Sequence, residues 1–184
     1  MSMSTPEETF AVAHAAIEKG DWDALFACLD PGDVRRVVRN GLSGLGRDDR
    51  VEELCREAGV EQALLDSAKA LASRMGTAAQ ACLTGDTDAS FALKELVEAH
   101  RRALDAIIRA ASDIAALAAG LERHLRATIG GGSISSSLFV GERLEEVRVD
   151  GKQASATRRR DDGATERVVF VRRGGRWLIR LFAR

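Results

Sequence analysis

Between Asp88 and Thr128 the chain has no proline and a single glycine, Gly120. Apolar residues recur through this stretch with helical spacing. Val97, Leu104, Ala111, Ala118 and Leu125 repeat every seven residues, and Leu93, His100, Ile107, Ile114 and Leu121 form a second seam beside them. An unbroken helix of this length reaches about 60 Å at a rise of about 1.5 Å per residue, more than a small domain needs. The stretch therefore either breaks, near Gly120, or lays part of its seam on another helix or another subunit. His100 stands inside the seam, where a polar residue sets register or pairs across an interface more often than it does chemistry.

The residues before this stretch also read as helix. Thr5-Pro6-Glu7-Glu8 is a helix start with a capping box, and Phe10, Ala13, His14 and Ile17 share one face of the helix it opens. Gly20 stops that helix and Asp21 caps a second, which presents Trp22, Leu25, Phe26 and Leu29 before Asp30-Pro31-Gly32. A short helix is expected near Val34 to Asn40, then a flexible loop from Gly41 to Arg47. Another helix is expected from Asp48-Asp49 to Ala58, and an amphipathic one from Val60 to Met75. Gly76 to Thr87 reads as a weak segment between two breaks.

After Gly130-Gly131-Gly132 the period changes from helical to alternating. Leu144 to Val149, Lys152 to Arg160, Thr165 to Arg173 and Arg176 to Ala183 read as strands of an antiparallel meander, joined by Asp-Gly and Gly-Gly turns. A shorter strand, Ile134 to Val140, is expected before them. On the last strand Trp177, Ile179 and Leu181 point one way, and Arg176, Arg180 and Arg184 the other. Arg158 to Arg184 holds nine arginines against Asp161, Asp162 and Glu166, a net +6; the whole chain is −1, so the rest carries −7. The simplest consequence is attraction between tail and body, within one molecule or between copies. The arginines otherwise read as a solvated face that deters strand pairing, an acidic partner's interface, or an anion pocket. Nucleic acid is not expected, because few aromatics interleave with them and the chain is not basic overall.

The opening PEETFAVAHAAIEKGDWDALFACLDP resembles the first two helices of the nuclear-transport-factor-2-like superfamily, which includes SnoaL-like and ketosteroid-isomerase-like proteins. The closing VRVDGKQASATRRRDDGATERVVFVRRGGRWLIRLF resembles its last strands. The resemblance implies a cone of helices on a curved antiparallel sheet, often enclosing a pocket, with Trp22 between the first helices and the sheet and Trp177 anchoring the last strand. The chain departs from the family in the middle, where a long helical segment replaces a strand and one helix. The best-known enzymes of the superfamily use Tyr-Asp or Tyr-His-Asp constellations. This chain has no tyrosine, so neither transfers. An Asp-Arg-Asp hydrolase arrangement fits the composition, but no local motif assigns its members.

Other chemistry finds little support. No Glu-x-x-His or His-Glu-x-x-His motif surrounds His14, His100 or His124, and Cys28, Cys55 and Cys82 lack zinc-ligand spacing, so neither metal nor cofactor is expected. The Gly41 to Gly46 stretch, GLSGLG, follows a helix and lacks the Lys-Ser/Thr of a phosphate loop, and it misses the last glycine of a nucleophile elbow. The odd number of cysteines reads as free thiols in a reducing, cytoplasmic setting. The start lacks the basic and apolar regions of a signal peptide, and no apolar run is long enough to cross a membrane.

The sequence thus predicts an α+β fold: helices on a curved, cone-like antiparallel sheet, with extra helices between the N-terminal helices and the C-terminal strands. Residues 1–184 are read as one domain, with 33–129 a helical insertion and 133–184 the sheet. The function expected is a non-catalytic interaction or ligand-binding protein, dimeric or with a protein partner. Leu93, Val97, His100, Leu104, Ile107, Ile114, Arg176 and Arg180 are its interface candidates. The alternative is an isomerase, cyclase or hydrolase for a small apolar molecule, with His14, Asp105 and Asp113 as candidate catalytic groups in a pocket between helices and sheet.

Overall fold

A computed structural model describes residues 3–85, 87–132, 134, 138–139 and 141–182. They form seven helices followed by a four-stranded antiparallel sheet of order β1-β2-β3-β4, an α+β fold with the helices packed on a curved sheet. The strands are β1 Glu142–Asp150, β2 Gln153–Arg160, β3 Thr165–Arg173 and β4 Arg176–Arg180. The meander and its turns follow the alternating pattern closely. β1 is interrupted by a bulge between Glu145 and Arg148, where Glu146 takes a φ of 52°. Of the shorter strand expected before β1, Ile134, Leu138 and Phe139 are not in a strand, and the other residues lie outside those described.

Helix α1, Pro6–Lys19, starts as its sequence dictates: the Thr5 hydroxyl accepts the Glu8 amide at 3.1 Å. The return half of the capping box is displaced by one residue, because the Glu8 carboxylate accepts the Ser4 amide at 2.9 Å. Asp21 caps α2, Trp22–Ala27, through the Ala24 amide at 3.0 Å. Pro31 then opens α3, Pro31–Gly41, instead of only closing α2.

The segment between these two helices joins the sheet. Leu29 forms a parallel bridge to Ile179: the Asp30 amide donates to Ile179 O and the Ile179 amide to Cys28 O, both at 2.8 Å. The edge of β4 is thereby covered. Thr9 of α1 reaches the same strand, its hydroxyl donating to Trp177 O at 3.0 Å. Phe26, Phe139, Phe170, Leu25 and Ile179 fill the space between helices and sheet, each almost fully buried.

The arginines of the tail are largely paired. Asp30, with a side chain only 7% exposed, accepts Arg173 Nε at 2.8 Å and lies 3.7 Å from Arg180 Nε. These two arginines flank Leu178 on the outer face of β4, and both Leu178 and its cross-strand partner Val171 are buried. Arg158 bridges buried Glu142 at 2.9 Å and also meets Glu166; Arg159 reaches Glu145 at 2.9 Å. Arg172 lies over the ring of Trp177. Arg176 stays exposed. Asp33, one turn after Asp30, accepts the Leu181 amide at 2.7 Å. Burial pushes its carboxyl above the ordinary range, against the pull of the Leu181 and Phe182 amides.

The middle of the chain departs from expectation in three places. Gly41 to Arg47 is not a loose loop: Leu42–Gly44 is a 3-10 turn, and Leu42 and Leu45 are buried. Helix α4, Asp49–Glu57, comes next, and α5, Gln62–Leu83, runs straight through Gly76 because α6 packs along its length. The long stretch breaks at Ser112-Asp113, not at Gly120, giving α6 Thr87–Ala110 and α7 Ile114–Ile129. The Ser112 amide and hydroxyl both donate to Ala58 O at 2.9 Å. The Asp113 carboxylate accepts the Ala115 and Ala116 amides at 3.0 Å. Gly120 instead allows close packing: a Cβ there falls 2.7 Å from Leu54 Cδ2 of α4.

Helix α7 packs on α2, α3 and α4, and places Glu122 wholly inside. Glu122 Oε1 accepts Arg126 Nε at 2.8 Å, and the Arg126 guanidinium also donates to Ile134 O and lies 4.1 Å over the Trp22 ring. Trp22 therefore lies beneath an α7 arginine.

Breaking a buried pair by deleting one partner is strongly destabilising, although the exposed Arg173 is partly screened. Asp30→Ala is expected to lower stability by about 1–3 kcal/mol in urea unfolding. A change under about 0.5 kcal/mol, the scale of an ordinary surface substitution, contradicts the role of this carboxylate as a clasp.

Candidate functional site

Helices α5 and α6 form an antiparallel hairpin whose outer part stands off the body as an arm. Past Ala68 on α5 and before Leu104 on α6, Ala89 alone is buried among the described side chains. The heptad seam changes character along α6. Its inner positions Leu104 and Ile107 are 7% and 0% exposed and belong to the chain's own core, so they are not available to a partner. That corrects their reading as interface residues: α3 of the same chain covers this end of α6. Ile114 packs half-buried against the same core. The outer positions Leu93 and His100 are half-buried, and Val97 is 43% exposed.

Leu93 and His100 line a cleft of about 800 Å³ in the angle between arm and body. Leu42 and Leu45 supply the body wall, and Met75 and Ala79 of α5 the arm wall. Two cations also line it. Lys69 is held by Glu52 Oε2 at 2.8 Å and Asp66 Oδ1 at 3.0 Å. Arg47 donates to Ser43 O at 3.0 Å. Burial pushes the His100 imidazole below its ordinary range, favouring the neutral ring.

A second cleft, about 440 Å³, lies between α4 and α7 and is lined by Arg50, Arg123 and His124. Most of its charges are matched within the chain; Asp113, which also lines it, bonds the first amides of α7 instead. Arg50 binds Glu53 and Glu57, Arg123 binds Asp23 at 2.6 Å, and His124 Nε2 lies 2.5 Å from Asp48 Oδ2. The His124 bond holds the Asp48 carboxyl below the usual carboxylate range while the other Asp48 oxygen caps α4.

The three candidate catalytic groups do not converge on a cavity between helices and sheet. Asp105 is engaged by Arg39, which bonds it through Nε at 3.1 Å and through Nη2. Asp113 is exposed and holds the first amides of α7, as its place before an apolar helical run requires. His14 is half-buried, and its buried Nε2 has no hydrogen-bond partner among the described residues; Glu18 Oε1 lies 3.4 Å away but off line. Burial pushes the Cys28 and Cys55 thiols up to about 11, which suppresses thiolate nucleophiles at neutral pH. Among the described residues no three His, Cys, Asp or Glu side chains converge to hold a metal ion. Nor is any helix among them long and apolar enough to cross a membrane.

Sequence reasoning missed Leu42, Leu45 and Lys69 as cleft residues, and Glu122 as a buried charge. The two leucines in a glycine-rich connection were the available signal, since an apolar pair in a loop needs something to cover it. No protein-family model, curated protein or solved structure matches the chain.

The cap assignment of Asp113 has a direct check. Asp113→Ala is expected to cost about 1 kcal/mol in thermal unfolding, the usual value of a lost N-cap. A neutral result means that the Asp113 carboxylate does not stabilise the start of α7.

Proposed function

We propose that this chain is a non-catalytic binding protein of the nuclear-transport-factor-2-like type, dimeric in its working form, that takes an apolar ligand in the arm–body cleft. The observation that carries the reading is the heptad seam, which is core at Leu104 and Ile107 and open at Leu93, Val97 and His100. The cleft volume lies in the range of small-ligand sites, and leucine and methionine walls favour an apolar occupant. The free thiols of Cys28, Cys55 and Cys82 fit a reducing, cytoplasmic location.

An uncharged solvatochromic dye such as Nile red is a suitable apolar probe. It is expected to bind the wild type at one saturable site. Leu93→Glu places a charge in the cleft and is expected to weaken binding at least about tenfold, whereas Val149→Ser, at an exposed position of β1, leaves it unchanged. Undiminished binding to Leu93→Glu rules the cleft out.

The site also carries a pH dependence. The His100 pKa is already lowered by burial, and an apolar occupant desolvates the ring further, so binding releases protons. Affinity is therefore expected to be full above the ordinary histidine range and to fall as pH drops through and below it. A His100→Gln variant is expected to lose that dependence in the same dye titration.

A further inference from the structure

The opposite side of the arm carries a different surface. Phe91, Glu95, Glu98 and Arg102 succeed one another on α6 at spacings of four, three and four residues, which is one stripe of a helix. Arg74 of α5 stands beside them, and together with Leu96 they line a hollow of about 720 Å³. Phe91 is 77% exposed. Of the five large apolar side chains most exposed among the described residues, three are on the arm: Leu83, Phe91 and Val97.

The charges of this stripe stand apart from the chain's paired ones. In the body Arg39, Arg50, Arg123, Arg126, Arg158 and Arg173 sit in ion pairs, while Arg35, Arg56 and Arg148 form none among the described residues. Arg74, Glu95, Glu98 and Arg102 form no ion pair among the described residues, although both signs lie side by side. From Lys69 to Arg102 five cationic and four acidic residues nearly cancel, a net +1, so two arms do not repel one another. A surface bearing both signs around an apolar centre is self-complementary. A two-fold axis brings the carboxylates of one copy to the guanidinium groups of the other, and does so twice.

We propose that this face of the arm is the dimer interface, and that its occupant is the same face of a second copy of this chain. Two hairpins then make a four-helix bundle, with Phe91 and Leu96 inside it and the charged stripe around them. Each hairpin packs on only one side within its own chain, and the second copy supplies the missing layer. The inference rests on the dimeric part of the proposed function and names its surface; the arm–body cleft lies on the other side and is independent of it.

The test is the dissociation constant of the full chain by light-scattering chromatography and analytical ultracentrifugation. The wild type is expected to be a dimer at micromolar concentration. Phe91→Asp, at a position already exposed, is expected to weaken the dimer at least about a hundredfold with an unchanged circular dichroism spectrum. The double variants Glu95→Lys with Glu98→Lys, and Arg74→Glu with Arg102→Glu, are each expected to be monomeric alone and to form a heterodimer when mixed. A wild-type dimer whose affinity no variant changes overturns this surface and leaves the dimeric reading standing. A wild type that remains monomeric to roughly 100 µM overturns both, while the dye titration still decides the cleft.

Discussion

Asp30 holds the two halves of this molecule together. It comes from the junction of α2 and α3, is nearly buried, and receives Arg173 and Arg180 from the last hairpin. A buried carboxylate without such partners would carry a large desolvation cost. Two guanidinium groups make the site tolerable, and the backbone around it converts that charge match into shape. The Asp30 amide bonds Ile179 O and the Ile179 amide bonds Cys28 O across the edge of β4, and Asp33 takes the Leu181 amide one step further on. An acidic helical body and a basic strand region thus meet within one chain. The arginines also shield the apolar outer face at Leu178 while their charged heads serve the helices.

A second buried charge organises the helices. Glu122 sits at the centre of α7, tied to Arg126, which in turn covers Trp22 and holds the chain after α7 through Ile134 O. Gly132 closes over the same carboxylate so tightly that a Cβ there falls 1.8 Å from Glu122 Oε1. Both of these buried carboxylates, Asp30 and Glu122, are thus neutralised on the spot. The outer arm instead leaves Leu83, Phe91 and Val97 exposed.

Much of this was legible in the residues. The strand periods and Gly-containing turns placed all four strands to within a few residues, because alternation and turn chemistry act locally. Thr5, Asp21 and Asp48 announced helix starts for the same reason. The break at Ser112-Asp113 carried the same kind of signal, yet the unbroken heptad pattern across it concealed the turn. The partner of that turn is Ala58 O, more than fifty residues earlier, and no local pattern reveals it. The heptads themselves were real, but they could not say how far the chain's own α3 would cover them. Asp30 read as a turn residue beside Pro31. Its role depends on arginines more than 140 residues away, and only the overall charge split hinted at it.

Hydrogen exchange read by mass spectrometry, residue by residue, tests the division between clasped body and open arm most directly. The Ile179 and Leu181 amides, bonded to Cys28 O and Asp33, are expected to exchange with the slow core, while α5 and α6 near Leu83 and Phe91 open first among the helices. If Ile179 exchanges as fast as the arm tip, the Asp30 clasp does not hold the sheet to the helices, and the division into clasped body and open arm is wrong.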